Sequence, residues 1–318
     1  MQIVYMGTPD FAVGPLEAII RAGHEVTAVV TQPDRPRGRS GQLSPGPVKE
    51  AAMRHGIPVF QPAKLRKPEA VEELKSYPAD AYVVAAFGQI LSQEVLNVPK
   101  YGCINIHASL LPHLRGASPI QHAILQGDAE SGVTIMQMDA GIDTGDILMQ
   151  EAVPIADDET GGSLFDKLAG LGSELIVRAL PLIEAGTLTP VPQDESKADH
   201  VGMLNKSMGE IDFGLSAVEI ERRIRGLDPW PGAFTRLEGK QLKIWKANVM
   251  STESVKGIIH EDPAAVPGTI LSVDKDAAYV ACGDGTLALR EIQVEGKKRM
   301  LTADFLKGHA LTPGMRLG

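Results

Sequence analysis

The sequence predicts an α/β protein with a parallel sheet covered by helices, followed by a small module of short strands. Two observations carry this. Apolar runs of about five residues alternate with helix-period segments through the first half, which is how strands buried on both faces are written. From residue 233 onward, five short strand-like runs follow one another with Gly/Asp turns between them, and a polar, proline-broken stretch beginning at Thr189 separates the two patterns.

The elements follow in order. Residues 2–6 read as a buried strand, then a glycine turn leads to an apolar-periodic helix over 11–22. Residues 26–31 form the next strand, and 47–55 a helix with Pro47 at its start. A brief strand at 58–60, a helix at 68–76 and an apolar strand at 81–86 come next. Residues 102–107 extend the sheet, and a crossover helix starting at Pro119, with Ser118 as its N-cap, leads to a strand at 133–138. The first domain is assigned to 1–189, a linker to 190–207 and a C-terminal domain to 208–318. Within the last, a helix at 217–225 precedes strands at 233–237, 240–249, 268–273, 277–282 and 286–294, enough for a small barrel.

Asn105-Ile-His107 ends one strand, and Asp143 follows in the turn Met138-Asp-Ala-Gly-Ile-Asp-Thr-Gly-Asp146. Side chains alternate along a strand, so Asn105 and His107 share a face while Ile104 and Ile106 enter the opposite apolar layer. An amide donor and an imidazole therefore share one space at the carboxyl end of a strand, where such sheets bind substrates. A carboxylate at Asp143 would orient the imidazole for acid/base work on a carbonyl. A single buried Asn or His is more often a satisfied core group, so the weight rests on the three together.

Asn105-Ile-His107, Ser109-Leu-Leu-Pro112, Arg115-Gly116 and Asp139-Ala-Gly-Ile-Asp143 together resemble the signature of the folate-dependent formyltransferases. Gly7-Thr-Pro-Asp-Phe-Ala12, Thr31-Gln-Pro-Asp-Arg-Pro36, Pro47-Val-Lys49, Pro58-Val-Phe-Gln-Pro62, Gly132-Val-Thr-Ile-Met-Gln-Met138 and Asp228-Pro-Trp-Pro231 resemble the branch of that family acting on methionyl-initiator tRNA. The resemblance covers nearly the whole chain. It implies a Rossmann-like catalytic domain, an OB-like C-terminal barrel that binds tRNA, and 10-formyltetrahydrofolate as formyl donor. It implies Asn105, His107 and Asp143 as catalytic residues, and a folate pocket formed by Ser109, Leu110, Leu111, Pro112, Phe87, Gln89, Ile90 and Asp139. Gln89 departs from the residue some relatives carry. The polar loop over 34–47 supplies Arg35, Arg37 and Arg39, which by the same resemblance meet the acceptor end of tRNA. Two other readings remain open: a formyltransferase for a nucleotide-sugar amine, and a non-catalytic RNA-binding protein of this fold.

Other chemistries fit less well. The turn after the first strand lacks the second glycine that lets backbone approach a pyrophosphate, so NAD is not expected. A calcium loop starting at Asp139 would need Gly at its sixth position and Glu at its twelfth, where Thr144 and Gln150 stand, and no metal is expected. Cys103 shares the face of His107 but stands ~13 Å along the strand, too far for a thiol–imidazole pair. Trp230 and Trp245 are read as core residues rather than platforms for bases.

The net charge of −9 is uneven: residues 1–207 carry 16 basic and 25 acidic side chains, residues 208–318 carry 15 of each. A neutral second module can still present a basic face, with candidates at Arg222-Arg223 and Arg225, at Lys240, Lys243 and Lys246, and at Lys297-Lys-Arg299. Two cysteines make no disulfide framework, and no run approaches the ~20 apolar residues of a membrane span. A cytoplasmic monomer is expected.

Overall fold

The computed structural model describes residues 1–37, 42–251 and 265–318. The chain divides into two compact units. The first comprises Met1–Ile120, Glu130–Pro154 and Leu164–Gly202, and the second comprises Gln121–Ala129, Ile155–Ser163 and Met203–Gly318.

The first unit is built on a seven-stranded sheet. Its strands are β1 (Gln2–Gly7), β2 (Glu25–Val30), β5 (Val59–Phe60), β6 (Ala81–Ala85), β7 (Cys103–His107), β9 (Glu130–Gln137) and β10 (Ile147–Pro154), in the spatial order β10-β9-β7-β6-β1-β2-β5. Strands β5, β2, β1, β6 and β7 run parallel, as their apolar sequences predict. The far edge departs from a purely parallel sheet, because β9 pairs with β7 antiparallel and β10 with β9 antiparallel. Strand β10 was not anticipated. It is an edge strand whose residues alternate between half-buried and exposed, without the continuous apolar run that marks the central strands.

Helices α1 (Val13–Arg21), α2 (Pro47–Arg54) and α3 (Pro68–Lys75) each turn an apolar stripe inward. One core layer gathers Val4, Met6, Val30, Tyr82, Val84 and Cys103 with Val71 and Leu74 of α3 and with Leu91, Val95 and Leu96 in and beside α4 (Gln93–Leu96). On the opposite face lies α6 (Gly161–Glu184), within which Leu164, Leu168, Leu175 and Ile176 are fully buried. A side chain at Gly172 of this helix would come 3.0 Å from Cγ2 of Ile106, so glycine lets α6 close onto the strand that carries Asn105 and His107. Phe11 and Phe165 pack edge to face in the same layer, with centroids 5.7 Å apart. Burying Ile104 and Ile106 there fixes the register that turns Asn105 and His107 the other way.

Two short pairings complete this unit. Strands β3 (Arg35–Arg37) and β4 (Gln42–Ser44) pair antiparallel within the segment read as an irregular basic loop. Strands β8 (Arg115–Gly116) and β11 (His200–Val201) pair parallel. Helix α5 begins at Pro119, as expected, and runs to Gln126, and from Gln121 on it belongs to the second unit.

In the second unit, α7 (Ala217–Gly226) opens with a capping box between Ser216 and Glu219. Strands β12 (Ala233–Leu237), β13 (Lys240–Val249), β14 (Ile270–Val273), β15 (Ala278–Ala281) and β16 (Thr286–Val294) form an antiparallel sheet in the order β12-β13-β16-β15-β14, with β17 (Met300–Leu301) paired to β16. Ile220 and Ile224 of α7, Leu242, Ile244, Val280, Leu287 and Phe305 of α8 (Thr302–Leu306) share one core.

Candidate active site

His107 closes β7, and Leu114 and Asp143 enclose its ring. The imidazole Nε2 lies 3.1 Å from the carbonyl oxygen of Leu114. A carbonyl only accepts, so Nε2 carries the proton in this arrangement. The other ring nitrogen, Nδ1, faces Oδ1 of Asp143 at 3.7 Å. The same oxygen lies 3.4 Å from the amide nitrogen of Asn105. Its partner, Oδ2, accepts a bond from the backbone N–H of Gly116 at 2.9 Å. One carboxylate oxygen is thus anchored and the other is loosely held between an amide donor and an imidazole. All three groups are shielded, with Asn105 8% and His107 6% exposed and the Asp143 side chain 15% exposed.

The backbone that places these groups is unusual at two points. Asp143 has φ +55° and Leu114 φ +59°, both in the left-handed region. Asp tolerates that region through its short polar side chain; for Leu it costs roughly 1–2 kcal/mol, which the surrounding bonds must offset. At Leu114, the backbone N–H donates to Asp199, whose carboxylate also meets Nδ1 of His113 at 2.8 Å, and the N–H of Arg115 donates to the Asp199 carbonyl at 3.0 Å. At Asp143, the side-chain amide of Gln193 donates to the carbonyls of Asp143 and Gly145, at 2.9 and 2.7 Å.

Arg115 is the largest fully buried side chain among the described residues, at 1% exposure. Its guanidinium grips the Gln193 oxygen from Nε and Nη2, at 3.0 and 2.8 Å, and both Glu195 oxygens, at 3.0 and 2.7 Å. The guanidinium holds the Glu195 carboxyl below its ordinary range by hydrogen bonding. A buried charge without such partners would cost several kcal/mol. Gln193, Glu195 and Asp199 come from the segment read from sequence as a linker, and sequence reasoning missed them. The available signal was Arg115 itself, a cation beside Leu114 and Gly116 that needs an acid from elsewhere in the chain.

The residues expected to line the folate pocket divide in their surroundings. Ser109 is fully buried, and its hydroxyl donates to the His113 carbonyl at 2.7 Å. Its own carbonyl accepts from Thr134, which also accepts from the N–H of Leu111 and from Gln150. Leu111 is buried, Pro112 half-buried, and Leu110 packs over Gly132. Phe87 is buried, whereas Ile90 is 72% exposed. Gln89 donates to the Pro62 carbonyl and accepts from the Leu65 N–H, so its amide braces backbone. Asp139 accepts from the Gly141 N–H and the Thr144 hydroxyl, shaping the turn that carries Asp143. Cys103 is buried, its thiol pushed up to about 12 by desolvation. Among the described residues, no cluster of three or more His, Cys, Asp or Glu is placed to hold a metal.

Of the basic candidates, Arg35 is exposed, Arg37 lies on β3, and Arg39 lies outside the described residues. In the second unit, several cations have internal partners. Arg223 donates to the Met208 carbonyl, Arg225 pairs with Glu221 and the Glu159 carbonyl, and Arg299 pairs with Asp228 and Glu291. Lys243 and Arg299 each lie 5.0 Å from the ring of Trp245, which is half-buried. Trp230 is 52% exposed, against the expectation of a core residue. It stands between Pro229 and Pro231 in the turn after α7, where no strand or helix face draws it inward.

Comparison with known proteins gives the family. A family model for formyl transferase matches residues 1–180, and one for the formyl transferase C-terminal domain matches 203–310. A methionyl-tRNA formyltransferase of Lachnospira eligens is 55% identical, covering 100% of both chains. One from Geobacter sulfurreducens is 48% identical over 100% of this chain and 97% of its own. Among solved structures, an N-formyltransferase from Helicobacter canadensis, in complex with folinic acid and dTDP-3-aminofucose, superposes with a TM-score of 0.65. It is 20% identical and covers 90% of this chain and 98% of its own. HypX from Aquifex aeolicus, in complex with tetrahydrofolic acid, has a TM-score of 0.61 at 16% identity, covering 99% of this chain and 50% of its own. These two share the fold, an α/β formyltransferase domain followed by an antiparallel sheet domain. The chain belongs to the formyl transferase family and, within it, to the methionyl-tRNA formyltransferases.

Proposed function

We propose that this enzyme transfers the formyl group of 10-formyltetrahydrofolate to the amino group of methionyl-initiator tRNA, and that Asn105, His107 and Asp143 carry the chemistry. The observation that supports the site most directly is the convergence of Asn105 and His107 on Oδ1 of Asp143, at 3.4 and 3.7 Å.

The amine lone pair attacks the formyl carbon, and the carbonyl oxygen becomes an oxyanion that needs donors already in place. Asn105 supplies one N–H. Imidazolium at His107, with Nε2–H spent on Leu114, supplies the other from Nδ1. The tetrahedral intermediate then loses a proton from its ammonium nitrogen to Oδ1 of Asp143, the loosely held oxygen. The C–N bond to folate breaks, that pair returns to the folate nitrogen, and the nitrogen takes up the proton. One N–H is consumed and one is made, so no co-reactant is needed and no covalent enzyme intermediate forms.

Ser109–Pro112, Phe87, Gln89, Ile90 and Asp139 bound the folate pocket in this reading. Residues 1–189 form the catalytic domain and 208–318 the tRNA-binding domain. Residues 190–207 join them, with their first part, through Gly202, belonging to the first compact unit. Arg35, Arg37 and Arg39 meet the acceptor end of the tRNA. The enzyme works in the cytoplasm as a monomer, without metal or NAD; among the described residues, no helix is long and apolar enough to cross a membrane.

The test is transfer of labelled formyl from 10-formyltetrahydrofolate to charged initiator tRNA by wild type and His107→Ala, with an amino-sugar nucleotide as competing acceptor. Transfer to tRNA that collapses in the variant is expected. Formylation of the sugar in preference to tRNA would overturn the acceptor, and full activity in the variant would overturn the site.

A further inference from the structure

Resting on that reading of Asp143, we infer that Gln193 is a positioning residue for the transfer step. Its amide is fully used. The oxygen accepts twice from Arg115, and the nitrogen donates to the Asp143 and Gly145 carbonyls. The amide therefore has one orientation, fixed at its oxygen end by a buried guanidinium that Glu195 anchors in turn. Through it, the cation grips the backbone on both sides of Thr144.

That grip lies where it affects chemistry. Asp143 holds a left-handed backbone, and its carboxylate is tied at Oδ2 to Gly116, the residue after Arg115 in the sequence. Gly116 and Gln193 thus hold one residue from two sides: Gly116 takes the carboxylate, and Gln193 takes the carbonyl. With the second hold removed, the turn can relax and Oδ1 can swing away from Asn105 and His107, while Ser109–Pro112 and Phe87, which lie outside that turn, stay in place. A loss confined to the chemical step is expected, since misplacing a reacting group by about 1 Å can cost on the order of 100-fold.

Two substitutions separate positioning from folding. Gln193→Ala removes both ends of the amide and leaves Arg115 short of an acceptor. Gln193→Glu keeps an acceptor for Arg115 but, ionised, cannot donate to either carbonyl. Steady-state formylation with the full-length enzyme, varying each substrate, reads kcat and KM separately, alongside a thermal melt. Both variants should lose kcat by about 10- to 100-fold with both KM values within about twofold of wild type, and both should still unfold in one transition above the assay temperature. Wild-type kcat in Gln193→Glu, or a defect confined to KM or melting, would overturn the inference. Asp143→Asn measured beside them distinguishes the two levels. Full activity in that variant would overturn the site and this inference together, whereas an inactive Asp143→Asn beside a fully active Gln193→Glu would overturn the inference alone.

Discussion

Replacing Asp143 by Asn tests the proton transfer with little disturbance to the fold. Asn accepts the left-handed backbone at φ +55° as readily as Asp, whereas Ala there adds roughly 1–2 kcal/mol of strain. The Asn oxygen can keep the 2.9 Å bond from the Gly116 N–H, now without charge assistance, for a loss of about 0.5–1.5 kcal/mol. In a unit of this size that lowers Tm by no more than ~5 °C. The other position changes its chemistry. An NH2 replaces Oδ1, faces the Asn105 amide donor near 3.4 Å and can donate to Nδ1 of His107, occupying the lone pair that the imidazole must protonate. No anion remains to take the ammonium proton. A positioned acid/base contributes about 10²–10⁴-fold, so the chemical step should slow by that factor, equivalent to roughly 2.7–5.5 kcal/mol. Single-turnover transfer with enzyme in excess over formyl-folate measures it. A rate within about fivefold of wild type would refute proton transfer through Asp143.

Gly116→Ala should cost both stability and activity. At φ +108° its Cβ would lie 2.3 Å from the Val201 carbonyl, forcing β8 from β11 at roughly 1–3 kcal/mol, and an unchanged Tm would contradict this. Neither Cys103 nor Cys282 should react with iodoacetamide at pH 8 in the native protein. Burial pushes both thiols up to about 12, and two equivalents should add only after unfolding; labelling of the folded enzyme would disprove the assignment. Hydrogen bonds from Lys49 and then Gln61 hold the Asp34 carboxyl below its ordinary value. A depressed carboxyl stabilises the fold fully above its unfolded value of ~3.9 and loses that contribution as pH falls through the folded value. The Tm gap between wild type and Lys49→Met should therefore narrow from about pH 6 to about pH 3, and a gap independent of pH would argue against the pair. Replacing Arg35, Arg37 and Arg39 by Glu should weaken formylation of tRNA and leave folate binding intact, and equal formylation would remove these residues from the tRNA surface.

The central sheet was legible because its strands are buried on both faces. Ala81–Ala85 and Cys103–His107 could only be apolar strands, and the period-two alternation in the latter showed which way Asn105 and His107 would point. The antiparallel edge was not legible. Nothing in residues 130–137 states whether that strand pairs parallel or antiparallel with β7, and β10 carries the broken pattern of an edge. The basic segment at 34–47 read as a loop because a three-residue strand is too short to display a period.

The three residues of the candidate site could be singled out for the same reason as the sheet, but the means of holding them could not. Asn105, His107 and Asp143 lie within 39 positions and announce themselves by residue type, whereas the residues that set Asp143's backbone stand about fifty positions further on, in a polar, proline-containing stretch. Such a stretch looks like a linker because linkers and segments whose polar side chains bond to the body of a domain use the same amino acids. They differ in what those amino acids are bonded to. Gln193 and Glu195 are read as ligands of a guanidinium only once Arg115 is known to be buried, and Arg115 lies on β8, which pairs with β11 of the same stretch. A buried cation in a short sequence motif is thus a question addressed to the rest of the chain, and the acid that answers it marks a segment bound to the site. By this reasoning, shortening or loosening the stretch from 190 to 202 should damage the chemistry before it alters any tethering between the two units.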